Sequence, residues 1–331
     1  MSQHFLLSSK AKTLSVVQVM NMTDEDAFNL LKTLRWGENE ENIYCPLCGH
    51  IHKPYKIASR KQWRCKECLH TFSVTSGTIF AHHRLPIKIY LAAIALFVNA
   101  VKGISSLQLS RYLGVHYRTA YVLSHKIRES LMVHRDTELL KGEIHIDGAY
   151  VHSSIRQKNK KSDRVDRRLA ENQPKDKRCV LVMRQGTEKT RTFVIPSEEE
   201  NAIISLVKKN VDLSSTICAD EHRAYNILHG KYDTKRVNHS QEYRSDEGVT
   251  NNYAESYFSR FRRMLVGQIH KVSNRYLNEY ANEIAYREDM RAKPNGEIFN
   301  DILSKCLNTK PSHHWCGYGY KNKLIQEALS V

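Results

Sequence analysis

The stretch GEIHIDGAYV, residues 142–151, alternates apolar and polar side chains with the period of two that a β-strand requires. If Ile144 and Ile146 occupy one face of the strand, His145 and Asp147 occupy the other, so that a carboxylate projects from the middle of the strand. The stretch therefore predicts a strand with one buried face and one face that carries polar chemistry.

The residues that follow predict a mixed α/β domain. Further strands are expected at RCVLVMRQG (178–186), TRTFVIP (190–196) and STICAD (215–220), and a helix at NAIISLVKKN (201–210). Between the first two strands, residues 153–178 contain ten basic and four acidic side chains and almost no apolar ones. A loop of this length inside a compact domain is either a mobile functional segment or disordered, and the sequence leaves both open.

Upstream of this domain, four cysteines predict a metal site. Residues 1–44 first form a helical leader, since Thr23 and Asp26 make a capping pattern ahead of apolar residues at helical spacing. Residues 45–80 then place Cys45, Cys48, Cys65 and Cys68 as C-x2-C, sixteen residues, C-x2-C. This spacing is typical of a zinc ribbon, in which four thiolates close a tetrahedral site around a structural Zn²⁺ ion.

Residues 81–140 predict a helix-turn-helix region. One helix covers 106–113, Gly114 makes a turn, and a second helix begins near residue 116. The start of the second helix is where a recognition helix contacts DNA, and it presents His116, Tyr117, Arg118 and Thr119. An ordinary αα-hairpin is the alternative, because many helical pairs share a glycine turn.

Three carboxylates are candidates for a second metal site. Asp147 projects from the first strand, Asp220 ends the strand STICAD, and Glu255 follows 35 positions later on a predicted helix. Like charges converging on one cleft are tolerated when divalent cations neutralise them. Each residue also has a structural alternative: Asp147 as a strand-end surface residue, Asp220 as a helix N-cap, and Glu255 as the capping-box partner of Asn252.

Composition narrows the class of partner. Lys and Arg outnumber Asp and Glu by 51 to 35, giving a net charge of +16 that favours nucleic acid or an anionic membrane surface. The longest apolar run, 89–98, is too short to cross a bilayer, and the N-terminal MSQHFLLSSKAK predicts no secretory signal. Eight cysteines without an export signal favour metal ligands and buried thiols over disulfides.

From about residue 24 to 291 the chain resembles bacterial insertion-sequence transposases of the DDE class that carry an N-terminal zinc ribbon, the ISXO2-like or IS1595-type family. The stretches that carry the resemblance are LRWGENEENIYCPLCGH (34–50), WRCKECLHTFSVTSGTIF (63–80), KGISSLQLSRYLGVHYRTAYVLSHKIRESL (102–131), GEIHIDGAYV (142–151), ADEHRAY (219–225), VNHS (237–240), NNYAES (251–256) and YLNEYANEIAYRED (276–289).

The resemblance implies an RNase H-like catalytic domain over residues 141–295, following the zinc ribbon and the helix-turn-helix region. Asp147, Asp220 and Glu255 would hold Mg²⁺ or Mn²⁺, with Asn252 and His239 close to them. Many family members carry a lysine a few turns after the catalytic glutamate, whereas this chain has arginines, candidates for phosphate contact, at Arg260, Arg262 and Arg263. Residues 296–331 match nothing in the family.

The function implied is transposition: binding of an element's terminal inverted repeats, metal-dependent DNA cleavage, and strand transfer into target DNA. Such a protein would act in the bacterial cytoplasm, at the nucleoid, as a homodimer or larger assembly on double-stranded DNA, without a membrane partner. Two alternatives are a domesticated, catalytically silent DNA-binding regulator and an RNase H-like nuclease that hydrolyses DNA without joining it.

Overall fold

The computed structural model describes residues 5–151, 158–166, 169, 177–237, 251–318 and 329–330. Its helices are α1 (Val16–Asn21), α2 (Asp24–Trp36), α3 (Ile87–Asn99), α4 (Ser106–Leu113), α5 (Tyr117–Val133), α6 (Glu200–Asn210), α7 (Asn252–Met264), α8 (Asn274–Asp289) and α9 (Asn295–Asn308). Its strands are β1 (Tyr55–Ile57), β2 (Gln62–Arg64), β3 (Thr71–Ser73), β4 (Glu143–Val151), β5 (Arg178–Gln185), β6 (Lys189–Ile195), β7 (Thr216–Asp220) and β8 (Asp233–Val237).

The chain divides into two compact units, one of residues 1–135 with 292–324 and the other of residues 136–291 with 325–331. The first unit therefore contains the helical leader, the ribbon, the α4–α5 pair and α9, which begins the segment that matched nothing in the family. Asn295 attaches α9 to the leader, because its Oδ1 atom accepts hydrogen bonds from the backbone N–H groups of Thr13 and Leu14 at 2.8 and 2.9 Å.

Aromatic packing joins the leader to the ribbon. The expected capping box begins α2: Thr23 Oγ1 accepts from the Asp26 N–H, and the Asp26 carboxylate accepts from the Thr23 N–H, both at 3.1 Å. At the other end of α2, Trp36 meets Trp63 of β2 edge to face, with ring centroids 5.0 Å apart. Strands β1, β2 and β3 form an antiparallel sheet, and its Trp63 and Phe72 are buried, with both rings packed against Trp36 of the leader.

Helices α4 and α5 lie where the sequence predicts a helical pair. Gly114 ends α4 in the left-handed conformation (φ 63°), which glycine adopts without strain. His116 is the N-cap of α5, and its Nδ1 atom accepts a hydrogen bond from the Arg118 N–H at 3.1 Å. The connection is therefore a tight turn between two capped helices, while its action as a DNA-binding helix-turn-helix stays a prediction.

The second unit is a mixed α/β domain, as predicted. Its five-stranded sheet has the order β6-β5-β4-β7-β8, in which β4, β5 and β6 are antiparallel and β7 and β8 run parallel to β4. Ile144 and Ile146 pack with α6 on one face of the sheet. The opposite face packs against α7 and α8, with Val180 and Phe258 in its core. Alternate residues of GEIHIDGAYV therefore face two different hydrophobic cores, one on each side of the sheet.

Candidate active site

Two aspartates lie side by side where β4 and β7 run parallel. Ile146 is the register partner of Ala219, so Asp147 follows on β4 beside Asp220, the last residue of β7. Asp147 is half-buried in the middle of its strand, so the strand-end alternative is wrong. The N-cap alternative for Asp220 is also wrong, since His222 caps the short 3₁₀-helix Arg223–Gly230.

Helix α7 brings a third carboxylate from the face of the sheet that carries Asp147. The helix begins at Asn252, one residue earlier than expected, and its N-cap is Asn251. The Asn251 side chain makes no capping hydrogen bond. Its Nδ2 atom instead donates to the carbonyl oxygen of Ile146 at 3.2 Å, which ties the start of α7 to β4. The capping box of Asn252 with Glu255 is therefore wrong, and Glu255 lies in the first turn of a helix anchored next to Asp147.

The carboxylates act on one another electrostatically. Burial is the main cause that raises the pKa of Asp147 to about 7, and the charge of Asp220 is the next. Glu198 and Glu255 raise this pKa further, against the hydrogen bond that the Gly148 N–H donates to Asp147 Oδ1 at 2.8 Å. We name Asp147, Asp220 and Glu255 the carboxylate cluster. Its like charges are close enough to disfavour full ionisation.

Sequence reasoning missed Glu198, which lies between β6 and α6. Its carboxylate accepts a hydrogen bond from the Tyr225 hydroxyl, and its N–H donates to the Tyr150 hydroxyl oxygen at 3.1 Å. A Cβ atom at Gly148 would lie 2.8 Å from Glu198 Cδ, so a larger residue there would have to displace the Glu198 carboxylate. Burial, the largest cause, raises the pKa of Glu198. A glycine directly after Asp147, inside a strand, was the available signal.

The three arginines of α7 have different surroundings. Arg262 lies two helical turns after Glu255, on the same side of the helix, and is exposed. Arg263 is exposed as well and donates to Ser259 Oγ at 2.7 Å. Arg260 instead pairs with the buried carboxylate of Glu288 at 2.5 Å. Its charge is therefore used inside the domain.

The structure describes only some of the other expected site residues. His239 lies outside the described residues, as do most of residues 153–178, of which 158–166, 169, 177 and 178 are described. Asn252 is exposed at the first position of α7. His116, Tyr117, Arg118 and Thr119 are all exposed at the start of α5. That exposure makes these four side chains accessible to a partner.

The four cysteines of the ribbon converge as predicted. The sulfur atoms of Cys45 and Cys68 are 3.6 Å apart and those of Cys48 and Cys65 are 3.7 Å apart. All four sulfurs lie within 4.8 Å of one another. Four thiols at these separations fit a tetrahedral Zn²⁺ ion with no open position, which is a structural site.

Comparison with known families agrees with this architecture. Residues 22–71 match the family described as transposase zinc-ribbon domain, and residues 139–289 match the ISXO2-like transposase domain. The two matches together cover more than half of the chain. The two matches thus show a transposase domain that follows an N-terminal zinc ribbon. The chain belongs to the ISXO2-like, IS1595-type family of insertion-sequence transposases.

A relative from a mobile element supports the same conclusion. The chain is 26% identical over 298 residues to an uncharacterized protein in transposable element ISH50 of Halobacterium salinarum, covering 86% of this chain and 98% of the relative. No solved structure matches the chain. Within the described residues, no helix has both the length and the apolar character needed to cross a membrane.

Proposed function

We propose that this chain is the transposase of an insertion sequence, binding the terminal inverted repeats of its element and catalysing DNA cleavage and strand transfer. The observation that carries the proposal is the carboxylate cluster: Asp147 and Asp220 are neighbours on parallel strands, and Glu255 comes from the helix anchored to β4. The strand order, with the first three strands antiparallel and the last two parallel to the first, supports an RNase H-like core.

The donor set of the carboxylate cluster fits Mg²⁺ or Mn²⁺. It offers only carboxylate oxygens, which hard divalent cations prefer, and the pKa of Asp147 is raised to about 7 by burial and by neighbouring carboxylates. Two bound ions would activate the attacking oxygen and stabilise the leaving oxygen of an in-line displacement. Asn251 and Ile146 hold α7 against β4, so that Glu255 stays near the two aspartates.

DNA binding is assigned to the exposed cations. Arg262, on the same side of α7 as Glu255, is placed to contact a phosphate near the cluster, and Arg263 is next to it. Arg260 is a weaker candidate because it pairs with Glu288. The start of α5 would contact the terminal repeats through Arg118 and its neighbours. Phosphate contacts would supply affinity and a few base contacts would set the register.

A strand-transfer assay tests the proposal. Purified protein is mixed with labelled duplexes of the sequences flanking its gene, target plasmid and Mg²⁺. Joined product is expected from wild type and from Glu221→Gln, an exposed control next to Asp220, and not from Asp147→Asn, Asp220→Asn or Glu255→Gln. DNA binding, measured by gel shift, should persist in all three. Cutting two ends and joining them to one target also requires at least a dimer on DNA, which mass photometry would detect.

Each alternative gives a different result. Binding without any product from wild type would identify a silent DNA-binding regulator. Hydrolysis without joined product would identify an RNase H-like nuclease. Activity that survives Glu255→Gln would remove that residue from the cluster.

A further inference from the structure

A second group of metal-ligating side chains lies two residue pairs before the aspartates of the carboxylate cluster. His145 of β4 is the register partner of Cys218 of β7, and Glu143 precedes His145 by two residues on the same face of β4. A carboxylate oxygen of Glu143, a ring nitrogen of His145 and the sulfur of Cys218 all lie within 4.8 Å of one another. We name these residues the three-donor cluster.

Two of the three donors are buried and the third reaches them from the surface. His145 and Cys218 are each 1% exposed, while the side chain of Glu143 is 59% exposed. The Nε2 atom of His145 is 2.8 Å from Glu143 Oε1. The ring of Tyr253, 4.8 Å from the imidazole between centroids, packs against it at a steep angle. The cluster is thus enclosed on the protein side and accessible at the carboxylate.

The other nitrogen of His145 determines what Nε2 presents to the cluster. The Asn251 side chain lies close to the imidazole, and its Nδ2 atom donates to the carbonyl oxygen of Ile146. Among the described residues, His145 Nδ1 and Asn251 Oδ1 are both buried without a hydrogen-bond partner. In the tautomer that carries its proton on Nδ1, Nε2 and the Glu143 oxygen are two acceptors 2.8 Å apart, and a cation would bridge them.

From this arrangement we propose that Glu143, His145 and Cys218 bind one Zn²⁺ ion, separate from the ribbon zinc and from the carboxylate cluster. Nitrogen, sulfur and oxygen donors together suit Zn²⁺, whereas Mg²⁺ takes oxygen alone. A zinc-bound histidine is usually oriented by a hydrogen bond from its other ring nitrogen, and Asn251, close to the imidazole, would be that outer partner. Donor atoms around tetrahedral zinc are about 3.4 Å apart, and the exposed Glu143 side chain is free to close the remaining distance.

Two positive charges act on the cluster, Arg184 of β5 and Lys235 of β8. Arg184 of β5 is the register partner of His145, but its guanidinium pairs with Glu288 at 3.3 Å and donates to the Tyr253 carbonyl oxygen at 2.8 Å. The charge of Arg184 is therefore partly offset on the α8 side, where Glu288 also pairs with Arg260. A zinc ion in the three-donor cluster would link β4 to β7 directly before Asp147 and Asp220, and so fix the spacing of the two aspartates. The inference rests on this geometry and not on transposition.

Measuring the zinc content of the protein tests the proposal without any activity assay. The full-length chain is purified with zinc, desalted, and its zinc per chain is determined by mass spectrometry, with the ribbon ion as internal standard. Wild type is expected to carry two ions and Cys218→Ser one. Cys179→Ser, which alters a buried thiol of β5 in the same sheet, should keep two. One ion in wild type, or equal content in the two serine variants, would overturn the proposal.

A surface variant tests the proposal even if Cys218→Ser does not fold. Glu143→Gln changes only an exposed side chain and should weaken binding of the second zinc about tenfold or more. Cobalt titration gives an independent readout, because the first equivalent should show the strong charge-transfer band of four thiolates and the second the weaker band of one. If Glu143→Gln leaves the affinity and both cobalt steps unchanged, a proton rather than a metal lies between the acceptors, and the proposal fails.

Discussion

Replacing Asp147 by asparagine should stabilise the protein at neutral pH when no divalent cation is bound. The pKa of Asp147 is raised from 3.8 to about 7, mainly by burial and then by Asp220. The folded chain thus keeps this proton to a higher pH than the unfolded chain, and wild type loses stability as the pH rises from about 4 to about 7. Asparagine carries no charge and does not lose that stability.

The size of the effect follows from the two pKa values. At 1.36 kcal/mol per pKa unit, ionisation of Asp147 costs the fold ~4 kcal/mol at about pH 8, about 1.7 kcal/mol at about pH 5 and under about 1 kcal/mol at about pH 4. These are upper values, since the folded chain relaxes around the charge. Asp147→Asn should therefore exceed wild type in free energy of unfolding at pH 8, and the difference should shrink towards pH 4.

Urea denaturation followed by far-UV circular dichroism measures the difference, with zinc-loaded protein in Mg²⁺-free buffer. Tryptophan fluorescence is unsuitable, because Trp36, Trp63 and Trp315 all lie in the other unit. The exposed Glu221→Gln is the control and should stay within about 0.5 kcal/mol of wild type. Added Mg²⁺ should stabilise wild type more than Asp147→Asn at pH 8. A difference that is the same at pH 4 and pH 8 would refute the electrostatic reasoning.

Three further outcomes are expected. Gly148→Ala should lose about 1–3 kcal/mol of stability, because the new methyl group contacts Glu198. Its control is Gly230→Ala, whose new methyl group has no atom within 4 Å and which should stay near wild type in the same denaturation assay. Arg262→Gln should lower the salt dependence of DNA binding by about one phosphate contact without changing thermal stability. Arg260→Gln should leave the salt dependence of DNA binding unchanged and lose about 1–3 kcal/mol of stability, because it removes a partner of the buried Glu288. Equal salt slopes for the Arg262 and Arg260 variants would contradict this assignment. A chelator that removes the ribbon zinc should alter tryptophan fluorescence, since Trp36 and Trp63 pack together at the ribbon, and a spectrum that stays unchanged would contradict a structural role.

Local rules were enough wherever the information lies within a few residues. The period of two placed β4 and its two faces, and the C-x2-C spacing placed the four sulfurs of the ribbon. Thr23 and Asp26 marked the start of α2 because a capping box involves only four consecutive residues, from N-cap to N3. The resemblance to transposases was likewise readable from short collinear stretches.

The same local rules failed at the start of α7. Asn252 and Glu255 have the spacing of a capping pair, yet the N-cap is Asn251. The amide of Asn251 donates a hydrogen bond to Ile146 of β4 instead of capping its own helix. From the sequence, Arg260 has the same expected role in phosphate contact as Arg262 and Arg263, but in the structure it pairs with Glu288 of α8. In both cases a partner distant in the chain decided the role of the side chain.

The sequence by itself determined the zinc ribbon, the helical pair α4–α5, and strands β4 to β7 with helix α6, while the joint role of the three carboxylates stays a prediction. Tertiary structure alone decided that Asp147 stands beside Asp220, that Glu198 approaches over Gly148, and that His145 meets Cys218. Spacing along the chain encodes contacts of the first kind, since they lie within a turn, a hairpin or a strand. Strands β4 and β7, about 70 residues apart, pair in the register that best buries the two cores. A local sequence pattern cannot show which of the possible registers does so.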